Sequence, residues 1–119
     1  MVAQAFRDKA QQLASQHDGF DADAMTYSGV FTVNAADLPL AVAKRHSGAG
    51  IIVTFLVSKQ QAVIWVGGER FWAGGGDPMA DEIFEQVVKP WIYEQAPDVF
   101  RFFQGLPDDT LTIDLFENE

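Results

Sequence analysis

Four carboxylates are the side chains best suited to hold a hard cation or share a proton: Asp77, Asp81, Asp108 and Asp109. Oxygen ligands suit calcium or magnesium, and carboxylates brought together need a cation or a common proton to relieve their repulsion. Their spacing matches no EF-hand loop. Each also has a structural reading. Asp77 precedes Pro78 and suits a helix cap, Asp81 a solvated helix position, and Asp108 and Asp109 a turn after Pro107. A second group, Glu69-Arg70-Phe71-Trp72, lies between Gly67-Gly68 and Gly74-Gly75-Gly76. Arginine and large aromatics dominate binding hot spots, and flanking glycines let a loop approach a partner closely. The competing reading folds Phe71 and Trp72 back as core.

No set of side chains spells out a catalytic machine. His17 and His46 are expected at helix C-termini, where an imidazole is favoured by the dipole, and neither belongs to an H-E-x-x-H pair. There is no G-x-S-x-G elbow. The glycines at Gly67, Gly68 and Gly74 to Gly76 are followed by no Lys-Ser or Lys-Thr, and Pro78 removes a helix N-terminal donor that would cradle a phosphate. With no cysteine in the chain, disulfides, thiolate ligands and a thiol nucleophile are excluded together. The catalytic set is therefore empty.

The elements that must position these groups follow from periodicity. Val2, Phe6, Ala10, Leu13 and Ala14 predict a helix over 3–16, stopped by Asp18-Gly19. Ser28 to Val33 has the composition of a strand. Asp37 is expected to cap a second helix that carries Pro39 in its first turn and ends in Lys44-Arg45-His46. Ile51 to Val57 and Ala62 to Val66 are two apolar runs around the polar turn Ser58 to Gln61. They read as strands covered on both faces, with Ile52, Val53, Phe55, Val57, Val63, Ile64 and Val66 in the core. The segment from Gly68 to Gly76 is expected to be a loop. Asp77-Pro78 then opens a helix with the stripe Met79, Ile83, Phe84, Val87, Val88 and Trp91. Pro90 should kink it or end it at Lys89. A short helix is expected over 98–104, and Leu111, Ile113 and Leu115 alternate as an edge strand.

The order α-β-α-β-β-α-β in one 119-residue domain predicts an α+β or α/β sandwich, a mixed sheet with helices packed on its faces. Ser28 to Val57 would be a right-handed β-α-β crossover with parallel strands, and the central hairpin would add an antiparallel neighbour.

Within this frame, Gly50, Val66-Gly67 and the helix pattern Ile83, Val87, Pro90 resemble the TPM domain family, found in thylakoid photosystem-repair proteins and many bacterial membrane-anchored proteins. The similarity spans about a third of the chain, mostly at apolar and glycine positions, as judged against the spacing of a hairpin followed by a helix. It implies an α/β sandwich with an acidic, calcium-binding loop region, and the metal-dependent phosphatase activity proposed for some members.

Charge narrows the class of partner. The formal net charge is −9, with no Lys or Arg between Lys9 and Lys44 or after Arg101. Such a chain is repelled by phosphate backbones and anionic lipid, so nucleic acid is not an expected ligand, and basic surfaces are attracted. The longest stretch free of charges and amides, Ser47 to Ser58, is too short to span a bilayer, which needs roughly 20 apolar residues. No basic-then-apolar leader opens the chain. The expectation is a soluble cytoplasmic protein without membrane insertion, although a piece of an exported or anchored protein would read the same.

The leading functional expectation is a small acidic non-catalytic binding module that engages a basic-surfaced protein through Glu69, Arg70, Phe71 and Trp72. An inhibitor, an immunity-like protein or an accessory protein would fit, and a homo-oligomer is compatible with it. The alternative is the TPM-like phosphatase, with calcium held by Asp77, Asp81, Asp108 and Asp109; otherwise no cofactor is expected. A small-ligand pocket lined by some of the ten Phe residues is the third reading.

Overall fold

In the computed structural model, residues 4–106 and 114–116 are described. The chain is α+β, built on a five-stranded antiparallel sheet in the order β1-β2-β3-β4-β5. Helix α1 (Gln4–Gln16) leads into β1 (Phe20–Asp21) and β2 (Thr26–Val33). A 3-10 turn (Ala35–Asp37) and α2 (Leu40–Ala43) follow, then β3 (Ile51–Val57), β4 (Ala62–Val66) and β5 (Glu69–Ala73). The chain continues as α3 (Pro78–Ile83), a π turn (Phe84–Val88), α4 (Lys89–Gln95) and α5 (Pro97–Gly105).

The parallel crossover expected between Ser28 and Val57 does not form. Strands β2 and β3 pair antiparallel along their whole length, from Val33 opposite Ile51 to Tyr27 opposite Val57. The connection turns back at one end of the sheet, held by the Ala35 amide bonded to the Gly48 carbonyl at 3.0 Å. Its helix is four residues long, too short to carry the chain across a sheet face. Asp37 does not cap it: the preceding residue is Pro39, with no side-chain cap bond.

Among the described residues the helices lie on one face of the sheet, and this overturns the expectation that the central strands are covered on both sides. Along β3, Ile51, Val53, Phe55 and Val57 are buried, whereas Ile52 and Leu56 are exposed. Phe55 is the hub of the covered face, with ring centroids 5.7 Å from Tyr27, 6.2 Å from Phe31 and 5.6 Å from Trp91 of α4. Phe31 stacks on Trp91 at 4.7 Å. This depends on the glycine at position 29, where a Cβ would sit 2.8 Å from the Phe55 ring. A second aromatic cluster joins Phe84, Phe100 and Phe103 to Phe116, at 5.5, 5.4 and 4.7 Å. Many of the Phe residues are thus packed on one another.

Asp77 caps α3 as its type and place predict. Its Oδ1 accepts from the Met79 and Ala80 amides at 3.0 and 3.5 Å, with Pro78 at the first helical position. The helix does not stop at Lys89. The π turn lets the Lys89 amide reach back to the Phe84 carbonyl, and the extra residue absorbs the missing N–H and the bulky ring of Pro90. The short helix expected over 98–104 is α5. Of the strand expected through Leu111, Ile113 and Leu115, the first two lie outside the described residues, while Leu115 and Phe116 form a buried turn. That turn is tied to the sheet by Lys59. Its carbonyl accepts from the Leu115 amide at 2.9 Å, and its buried ammonium donates to the Leu106 carbonyl and lies 3.6 Å from Asp114.

Candidate functional site

The segment expected to be a loop is instead an edge strand. Gly67 and Gly68, with φ of 58° and 92°, make a two-residue turn of the kind that matches strand twist, and Val66 pairs directly with Glu69. A strand sends alternate side chains to opposite faces, so the four residues of the candidate motif are divided between two sides. Phe71 is buried beneath the helices. Glu69 shares that side, its carboxylate accepting from Arg45 at 2.6 Å, while the Arg45 guanidinium lies 5.9 Å from the Phe71 ring centroid. Arg70 and Trp72 project from the uncovered face, with the guanidinium 5.5 Å from the indole centroid.

Cross-strand register shows what surrounds them. Arg70 lies opposite Trp65, which lies opposite Thr54, which lies opposite Val30. Trp72 lies opposite Val63, then Leu56, then Ser28. The result is a continuous uncovered sheet face in which Val30 is 61% exposed, Ile52 55%, Trp72 44% and Leu56 42%. On a chain of net charge −9, the rows centred on β3 and β4 carry no carboxylate, and Arg70 is their one charged group. One acidic side chain sits at the border: Asp21 of β1 is opposite Thr26.

Of the residues on this face, sequence reasoning singled out Arg70 and Trp72 and did not single out Val30, Ile52, Leu56 and Trp65. The signal for these lay in Ser28, Thr32 and Thr54, polar residues at alternate positions in otherwise apolar strands. The carboxylates expected to share a cation are not brought together. Asp77 is engaged as a cap, and Asp81 accepts from the Gly74 amide at 2.8 Å, fixing α3 to the end of β5. Asp108 and Asp109 lie outside the described residues. Among the described residues, no three His, Asp or Glu side chains are grouped to hold a metal. No helix among them is long and apolar enough to cross a membrane.

One partly buried polar cluster lies elsewhere. His17 Nε2 is 3.0 Å from both carboxylate oxygens of Asp98, joining the end of α1 to the start of α5. Burial pushes the Asp98 carboxyl up, but the hydrogen bond from His17, its charge and the Val99 amide outweigh that and hold it below its ordinary value. Tyr27 is edge-on to His17, and burial together with the Asp98 charge pushes its phenol up, so it stays neutral. This arrangement fastens two helices and a strand. A 400 Å³ groove beside Asp98 is floored by Phe6 and Phe102 and flanked by Lys9 and Arg101.

The chain matches no family model, no curated protein and no solved structure.

Proposed function

We propose that this protein is a non-catalytic binding module that engages a protein partner through the uncovered sheet face centred on Arg70 and Trp72. The observation that supports this reading is the exposure of Val30, Ile52, Leu56 and Trp72 on one continuous surface. Antiparallel sheets with an open face ordinarily alternate apolar-in and polar-out, so an apolar outer face signals contact with something else. Trp72 and Arg70 are anchor types, the indole offering area and the guanidinium a fork for a carboxylate or carbonyl acceptor.

Charge selects the partner. The centre of the face has no carboxylate, whereas Asp21 lies at its border and the molecule as a whole is acidic. The complementary surface has an apolar ridge and a basic rim. Basic rim residues would steer association without having to be desolvated at the centre.

The test is comparative capture from the cells that make the protein, using the wild type, Trp72→Ala and Asp81→Asn side by side. The protein retained by wild type and Asp81→Asn but lost with Trp72→Ala is then purified and titrated. Trp72→Ala and Arg70→Ala should each weaken binding by about 2 kcal/mol, roughly thirtyfold in Kd. The on-rate should fall as salt rises. A partner that binds Trp72→Ala and Arg70→Ala as tightly as wild type would place the contact elsewhere.

A further inference from the structure

We infer that the outer edge of β5 pairs with the β5 edge of a second copy of this chain, extending the sheet through a two-fold axis. The inference goes beyond the partner face and does not depend on it.

The backbone sets the register. The Gly67 amide bonds to the Ile52 carbonyl, and the Ser58 amide to the Gln61 carbonyl, so Gln61, Val63, Trp65 and Gly67 direct their backbone groups toward β3. In an antiparallel sheet the alternate residues Ala62, Ile64 and Val66 must then bond β5, through their partners Ala73, Phe71 and Glu69. Arg70 and Trp72 are left with their N–H and C=O groups pointing away from the sheet. Among the described residues no strand pairs with this edge.

When two such edges meet about a two-fold axis through Phe71, Arg70 of each copy falls opposite Trp72 of the other. These are bonded pairs, because only residues with outward backbone groups can exchange them. Each guanidinium then lies beside the indole of the other copy, on the uncovered face, where it already contacts its own Trp72 at 5.5 Å. In the same register Glu69 falls opposite Ala73, so no like charges are directly opposed. A register shifted to place Arg70 against Arg70 would oppose two cations. Gly75 and Gly76, just beyond the edge strand, are exposed with open space where a Cβ would be, so they bring no side chain to the end of that edge. The edge is thus complementary to itself in hydrogen bonding, side-chain pairing and charge.

The opposing term is repulsion between two chains of −9 each, which added salt screens. Self-association should therefore strengthen with salt, the reverse of association with a basic partner.

The experiment is sedimentation of the purified chain from micromolar to millimolar concentration at low and high salt, with amide exchange followed at the same concentrations. The expected result is a rise in mass toward twice 13.1 kDa, steeper at high salt, with the Arg70 and Trp72 amides exchanging more slowly as concentration rises. Arg70→Pro, which removes an outward N–H from an edge strand, should abolish the dimer. If that variant loses its circular-dichroism signature, the wild-type amide measurement alone decides. A monomer at every concentration and salt, or a dimer in which those two amides exchange no more slowly, overturns the inference. Ile52→Lys, two strands from the edge, should spare the dimer while disrupting the partner face, so the two readings fail separately.

Discussion

Two adjacent residues of β3, Phe55 and Leu56, provide the sharpest test of the one-sided sheet. Phe55 is 1% exposed and touches the rings of Tyr27, Phe31 and Trp91. Truncating it to Ala removes the buried ring and leaves a cavity between β2, β3 and α4, at a cost of about 3–5 kcal/mol. Leu56 faces the other way and leaves 42% of its surface in water. Full burial of a leucine side chain contributes about 1.5–3 kcal/mol, so Leu56→Ala, partly buried and with open solvent to fill the space, should cost about 1 kcal/mol. With a urea m-value of about 2 kcal/mol/M, the unfolding midpoint should fall by about 1.5–2.5 M for Phe55→Ala and about 0.5 M for Leu56→Ala. The assay is urea denaturation of both variants and wild type, followed by tryptophan fluorescence and far-ultraviolet circular dichroism. In a domain whose total stability is roughly 5–15 kcal/mol, the first variant approaches unfolding without denaturant and the second does not. Equal shifts, or a larger one for Leu56→Ala, would refute the assignment of the two faces and remove the basis for the partner surface.

Asp77→Ala should lower stability by about 1 kcal/mol, because the Met79 and Ala80 amides lose their acceptor, and should leave the Kd for a partner unchanged; urea midpoints and titration check both. Asp98 carries a pH dependence whose sign is fixed by its lowered folded-state value. The stabilisation it contributes is present above the ordinary carboxyl value of 3.8 and lost as pH falls through the lower folded value. The difference in urea midpoint between wild type and Asp98→Asn should therefore shrink below about pH 4, modestly because the carboxylate is 38% exposed; a difference that grows in acid would contradict the His17 pairing.

Local chemistry was legible where a single residue type dictates a single geometry. Asp77-Pro78 announces a helix start because the carboxylate satisfies free amides and proline has none to satisfy, and the structure places both accordingly. The alternation of Arg70 and Trp72 with Phe71 was equally present in the sequence, but the glycines around it suggested a loop. Gly67 and Gly68 are there for positive φ in a tight hairpin, so the motif became a strand and its aromatics parted to opposite faces. The direction of β3 was hidden for a different reason. Pairing between distant strands depends on whether the intervening segment covers a sheet face or turns at its end, and residues 34–50 carry helical signals for both outcomes. The open side of the sheet was only partly marked: Ser28, Thr32 and Thr54 are polar at alternate positions, but Ile52 and Leu56 are apolar although they face outward, so β3 shows no unbroken polar period.

That last point links the acidity to the surface. An uncovered apolar sheet face with a free edge is the arrangement most prone to indiscriminate association. A net charge of −9 opposes contact between copies at long range without placing a carboxylate among Thr54, Val63 and Trp65, where it would weaken a specific contact. The repulsion acts over a Debye length of about 8 Å in physiological salt, whereas apolar contact and strand pairing act only at touching distance. Partners therefore have to bring opposite charge, or a surface that fits closely enough to outweigh the repulsion. The proposed basic-rimmed partner on the face would meet the first condition, and the proposed pairing of β5 edges would meet the second. The two contacts should accordingly respond to salt with opposite sign.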